Sequence, residues 1–110
     1  PTADLWSSVA GLTPIGFHLR HIAGSTSRLM TYVEDRQLSE DQIREMKEEG
    51  TPGATIEELL GGLELAFANA EAVVRSLQPE QLAAPRKVGR KELPTTVAGL
   101  LHHIAEHGQR

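Results

Sequence analysis

The stretch from Thr55 to Leu77 carries the clearest amphipathic pattern in the chain, and it dictates what the remainder must supply. Thr55-Ile56-Glu57-Glu58 forms a capping box, in which a threonine hydroxyl satisfies a backbone N–H three residues on and a glutamate reaches back. Ile56, Leu59, Leu60, Leu63, Phe67, Ala70, Val74 and Leu77 then recur at helical spacing, and Pro79 ends the run. A strand would alternate every second residue, so this stripe belongs to a helix. Other helices must cover it.

Two further long helices are expected. The first starts at Thr13-Pro14, where a threonine hydroxyl can cap and a proline loses only an N–H that had no partner. Its stripe is Ile15, Leu19, Ile22, Leu29, Met30 and Val33. Gly24, Ser25 and Thr26 fill the middle, small enough to admit another helix or leave space for a ligand. The last helix starts at Leu93-Pro94-Thr95-Thr96 and carries Val97, Leu100, Leu101 and Ile104. Between the first two lies a short helix, opened by the capping box Ser39-Glu40-Asp41-Gln42, reaching about Glu49 and stopped by Gly50. Only Ile43 and Met46 are apolar in it, which makes it a surface element. Gly50-Thr51-Pro52-Gly53 links it to the central run, where Gly61-Gly62 reads as a place of close helix–helix approach. Residues 79–93 read as a long connection, and no alternating β pattern or hairpin dipeptide is found. The expectation is an all-α, up-and-down helical bundle occupying residues 1–110 as a single domain.

Composition narrows the chemistry. The 110 residues contain no cysteine, which removes disulfides, thiolate metal sites and a cysteine nucleophile. Aromatics are only 4 %, so aliphatic side chains must fill the core. Acidic residues number 15 against 11 basic ones, a balance unsuited to nucleic acid. Arg86-Lys87-Val88-Gly89-Arg90-Lys91 concentrates four of the bases and is read as a solvated loop tip. No apolar run is long enough to span a membrane. A soluble, cytoplasmic protein with no nucleic-acid or membrane partner is expected.

All five histidines fall on the first and last helices: His18 and His21, then His102, His103 and His107. His103 and His107, four apart, stand one above the other on one helix face, the spacing at which two imidazoles grip one ion. A third imidazole from another helix would leave positions open for water or substrate, as in a catalytic metal site. A helical wheel puts His102 towards solvent, His18 at the border of the apolar stripe, and His21 a turn further out. Glu106 is a candidate acid or base, or a partner to an imidazole N–H. Its plainer role is an exposed pair with Arg110. Trp6, Phe17 and Tyr32 are core residues or pocket walls.

The stretch Pro14-Ile15-Gly16-Phe17-His18-Leu19-Arg20-His21-Ile22-Ala23-Gly24-Ser25 resembles the metal-histidine helix of the DinB-like family, also described as DinB/YfiT-like metalloenzymes. Thr96-Val97-Ala98-Gly99-Leu100-Leu101-His102-His103-Ile104-Ala105-Glu106-His107-Gly108-Gln109-Arg110 resembles its last bundle helix. The resemblance implies a four-helix bundle that holds a divalent ion, often zinc or nickel, through three histidines. Among characterised members it also implies thiol-linked transferase or isomerase chemistry. In the family register His21-Ile22-Ala23 supplies one ligand and His107 another, with the third following Arg110. The chain therefore reads as a bundle lacking its first helix and the last turn of its final one: either it is a segment of a longer protein, or His103 stands in for the third ligand.

The expected function is a divalent-metal-dependent enzyme acting on a small molecule, with His21, His107 and His103 as ligands. The reaction would be transferase, isomerase or hydrolase chemistry. Imidazoles alone do not choose among zinc, nickel, copper and iron. The alternative is a non-catalytic bundle acting as a structural or dimerisation module, since three long helices leave more apolar face than they can mutually cover.

Overall fold

The computed structural model describes the backbone of residues 2–8 and 14–109, with side chains as far as Glu106. A one-turn helix, α1 (Thr2–Leu5), precedes α2 (Ile15–Val33), α3 (Glu40–Lys47) and α4 (Ile56–Ser76). A 3-10 turn (Pro79–Ala83), a hairpin of β1 (Pro85–Val88) and β2 (Leu93–Thr96), and α5 (Val97–Gln109) complete it. The helical class and the long elements match the sequence pattern. The proposed Thr13 cap lies outside the described residues.

Both expected N-terminal caps on α3 and α4 form. Ser39 Oγ accepts from Gln42 N at 3.1 Å while Gln42 Oε1 accepts from Ser39 N at 3.0 Å, closing the full box. At α4, Thr55 Oγ1 accepts from Glu58 N at 3.2 Å, and the glutamate turns to the threonine hydroxyl at 3.3 Å rather than to the backbone.

Helix directions follow from two anchor points. At one end, the Trp6 ring lies on Gly16 near the start of α2, and its indole N–H donates to Ala54 O at 3.1 Å, just before α4. At the other, Val73 of α4 and Leu77 just after it pack on the cluster of Leu29, Tyr32 and Val33 in α2. The helix α4 thus runs in the same direction as α2. Val97 and Leu100, at the start of α5, join the same cluster, so α5 runs back along α2. This cluster is the core, and Val97 and Val33 are its most deeply buried side chains.

Three expectations are corrected. The region after Pro79 is not an irregular connection: Pro85–Val88 pairs antiparallel with Leu93–Thr96, in the register Pro85↔Thr96 to Val88↔Leu93. Such short strands, each with a proline, carry too few residues to show alternation. Their turn uses Gly89 at φ 78° and Glu92 at φ 50° instead of a two-residue dipeptide. In consequence α5 begins at Val97, not at Leu93, and Gly99 N finds its cap in Thr96 Oγ1 at 3.1 Å. At Gly61 and Gly62 the expected close helix–helix approach is not found: no described residue lies within 4 Å of where a Cβ would stand.

The apolar stripe of α4 is wider than the surface that covers it. Leu59, Ala66 and Ala70 are buried, whereas Leu60, Phe67 and Val74 stay 44–47 % exposed. The basic segment becomes the hairpin tip, but Arg86 turns inward. Its Nε donates to Val33 O at 2.7 Å, placing a cation on the C-terminal carbonyls of α2. Among the described residues, no helix is long and apolar enough to cross a membrane.

Candidate functional site

The face of α2 bearing His21, Gly24 and Arg28 is the chemically distinctive surface of the molecule. Residues at spacings of three, four and seven share one side of a helix, so these three stack along it. Against them rests Glu49, from the turn that ends α3. One carboxylate oxygen, Oε2, accepts from Arg28 Nη1 at 2.7 Å, and the other, Oε1, lies 3.0 Å from His21 Nδ1. The Glu49 and Arg28 side chains keep only 7 % and 11 % of their surface exposed, against 35 % for His21. Burial at that level requires an ionic pair to satisfy its hydrogen bonds, and no buried side-chain polar atom is left without a partner among the described residues.

Gly24 makes room for this contact. A Cβ at that position would overlap Glu49 Oε2 and stand 2.8 Å from Arg28 Nη1. Of the small residues in the middle of α2, Gly24 therefore admits a carboxylate.

The turn carrying Glu49 is itself clamped. Arg20 Nη1 donates to Glu48 O at 3.1 Å and to Thr51 O at 2.6 Å, and its guanidinium lies 4.7 Å from the Trp6 ring. Phe17 stacks on His21 with ring centroids 5.5 Å apart and planes 10° from parallel. Imidazole orientation is thus fixed by a ring on one side and a carboxylate at its edge. A groove of about 990 Å3 runs between α2 and α4, with Arg20, Gly24 and Glu49 among its walls.

The histidines sort differently from the wheel. His18 is the exposed one, touching Phe17 edge-on at 5.7 Å, and His21 is the half-buried one. The wheel erred because it took the stripe as the only buried face, whereas the Glu48–Thr51 turn covers the His21 side. On α5, His102 faces solvent as expected, and its Nε2 lies 3.1 Å from Glu106 Oε1 on the next turn. Glu106 thus faces back towards His102; the expected pair with Arg110 lies outside the described residues. His103 is exposed. The side chain of His107 lies outside the described residues. Among those described, no three His, Asp or Glu side chains form a group able to hold a metal.

Glu49 and Arg28 are the residues that sequence reasoning missed. A signal existed on α2, because an arginine seven residues after a histidine, with glycine between, interrupts a stripe of apolar and small residues. Nothing comparable marks Glu49, which sits among Glu45, Lys47 and Glu48 at the end of a polar helix.

Trp6 and Tyr32 act as packing residues, while Phe17 does serve as a wall, against His21. None of the curated proteins compared with the chain matches it significantly. The sequence profile of the DinB superfamily matches residues 3–110, so nearly the whole chain is aligned to it, including both histidine-bearing helices. The chain belongs to the DinB superfamily.

Proposed function

We propose that the protein is a divalent-metal-dependent member of this superfamily, with His21 as the ligand from α2 and His107 and His103 as the candidates from α5. Membership supports the reading in general terms, because the superfamily is metal-associated. The observation that carries it is the setting of His21: a half-buried imidazole, stacked and held at Nδ1 by a buried carboxylate. That is the environment a ligating histidine ordinarily has, with its second nitrogen turned to the ion.

Helix geometry supports His107 over His103. From the shared core, eight residues back from Leu29 to His21 and seven forward from Leu100 to His107 cover about 12 Å and about 10 Å along antiparallel axes. Position 107 also repeats the face of Leu100, two turns on. His103 falls roughly 8 Å short of the His21 level on the same reckoning.

A divalent ion in such a site supplies Lewis-acid chemistry, polarising what it binds and lowering its pKa. The chain's own part is to hold His21 rigid, through the Phe17 ring and the Glu49 carboxylate. Metal analysis of untagged protein tests this, with uptake lost in a His21→Ala, His107→Ala double variant.

The exposed Leu60, Phe67 and Val74 face of α4 favours a second reading, in which the bundle associates with another copy and has no catalytic role. Light scattering separates the two: association without metal uptake favours the second.

A further inference from the structure

Glu49 sits between two donors of unequal kind. Arg28 can only donate, and a carboxylate can only accept. With Arg28 on Oε2 at 2.7 Å, Oε1 is directed at His21 Nδ1 at 3.0 Å. A neutral imidazole at this site then carries its proton on Nδ1 and its lone pair on Nε2. Four other contacts hold the carboxylate in register. Gly24 provides the space, Arg20 grips the backbone at Glu48 and Thr51, Trp6 stacks on Arg20, and the Trp6 indole ties down Ala54. So much apparatus around one glutamate exceeds what a solvated loop requires. A buried charge pair also adds little net stability over a well-packed apolar one.

We infer that Glu49 is a positioning residue for His21: held by Arg28 and admitted by Gly24, it fixes the Nδ1–H tautomer and so presents Nε2 to a bound ligand. The part that concerns metal rests on the functional reading above; the part that concerns the tautomer does not.

Glu49→Gln is the informative change, because it keeps shape and alters only the hydrogen-bond code. Arg28 claims the amide oxygen, so the NH2 group faces His21. Nδ1 must then accept, and the ring proton moves to Nε2. The test records ring 15N–1H correlations of neutral His21 in the wild-type and variant proteins, and titrates both with zinc. The expected result is Nδ1–H in the wild type and Nε2–H in the variant, with zinc affinity down roughly 10- to 100-fold and circular dichroism unchanged. An unchanged tautomer together with unchanged zinc affinity would overturn the proposal while leaving the metal reading intact. A tautomer switch in a protein that binds no zinc would uphold Glu49's role and defeat the metal reading. Should Glu49→Gln fail to fold, Gly24→Ala displaces the carboxylate without removing it. Loss of the fixed Nδ1–H signal in that variant supports the proposal, and its retention contradicts it.

Discussion

Gly24 and Glu49 occupy complementary space: the glutamate's Oε2 lies where a Cβ on residue 24 would stand. The pair joins the middle of α2 to the turn after α3 across 25 positions of sequence, and it carries the ionic contact to Arg28 and the hydrogen bond to His21 with it. Glycine within a helix ordinarily costs about 1 kcal/mol relative to alanine, so its presence here marks a steric need.

That need can be measured against a second glycine. Gly61→Ala, where nothing lies within 4 Å, should stabilise the protein by about 0.5–1 kcal/mol. Gly24→Ala should instead destabilise it, because the Glu49 carboxylate must move. Urea denaturation of the two variants gives the comparison directly. Equal stabilisation in both would mean that the Glu49 contact yields without cost.

Arg28 is predicted to matter more by its absence than by its presence. Arg28→Met leaves a buried carboxylate without its cation, and this should cost about 3–5 kcal/mol. Adding Glu49→Leu should restore most of that loss, since an apolar pair of similar volume packs without desolvating charge. A double-mutant cycle read by denaturant unfolding checks both steps.

These two residues also show where sequence reading stops. Periodicity locates a helix because each residue reports its own neighbours along the chain, and so α2, α3, α4 and the stripe of α5 were legible. The capping motifs at Ser39 and Thr55 were legible for the same reason. Glu49 was not, because its partners are set by how the α3–α4 connection folds back over α2, and a polar turn looks alike buried or solvated. The same fold-back exchanged the expected burial of His18 and His21. The hairpin was missed for a smaller reason: four-residue strands containing Pro85 and Pro94 fall below the length at which alternation can be seen.

The α4 face separates an isolated bundle from an associating one. If Phe67 stays half-exposed in the functional state, Phe67→Ser should cost about 1 kcal/mol whatever the protein concentration. Leu100→Ala, in the core, should cost about 2–5 kcal/mol. A large effect of Phe67→Ser that grows with protein concentration would place this face in an interface.

Arg86 hydrogen-bonds the hairpin to α2, beside the packing of Val88 on the core cluster. Arg86→Ala removes the donor to Val33 O and should lower stability by about 1–2 kcal/mol, with Arg86→Lys a poor substitute because a point ammonium cannot reproduce the guanidinium fork. Hydrogen exchange at residues of β1 and β2 should accelerate in both variants.

If His21, steadied by Glu49, is a metal ligand, the protein takes up metal through it. The most direct test is elemental analysis of untagged wild-type protein beside the His21→Ala, His107→Ala double variant, after exposure to zinc and to nickel and removal of excess ion. Roughly one equivalent of metal is expected in the wild type and almost none in the double variant. Less than about a tenth of an equivalent in the wild type, unchanged in the double variant, would contradict it.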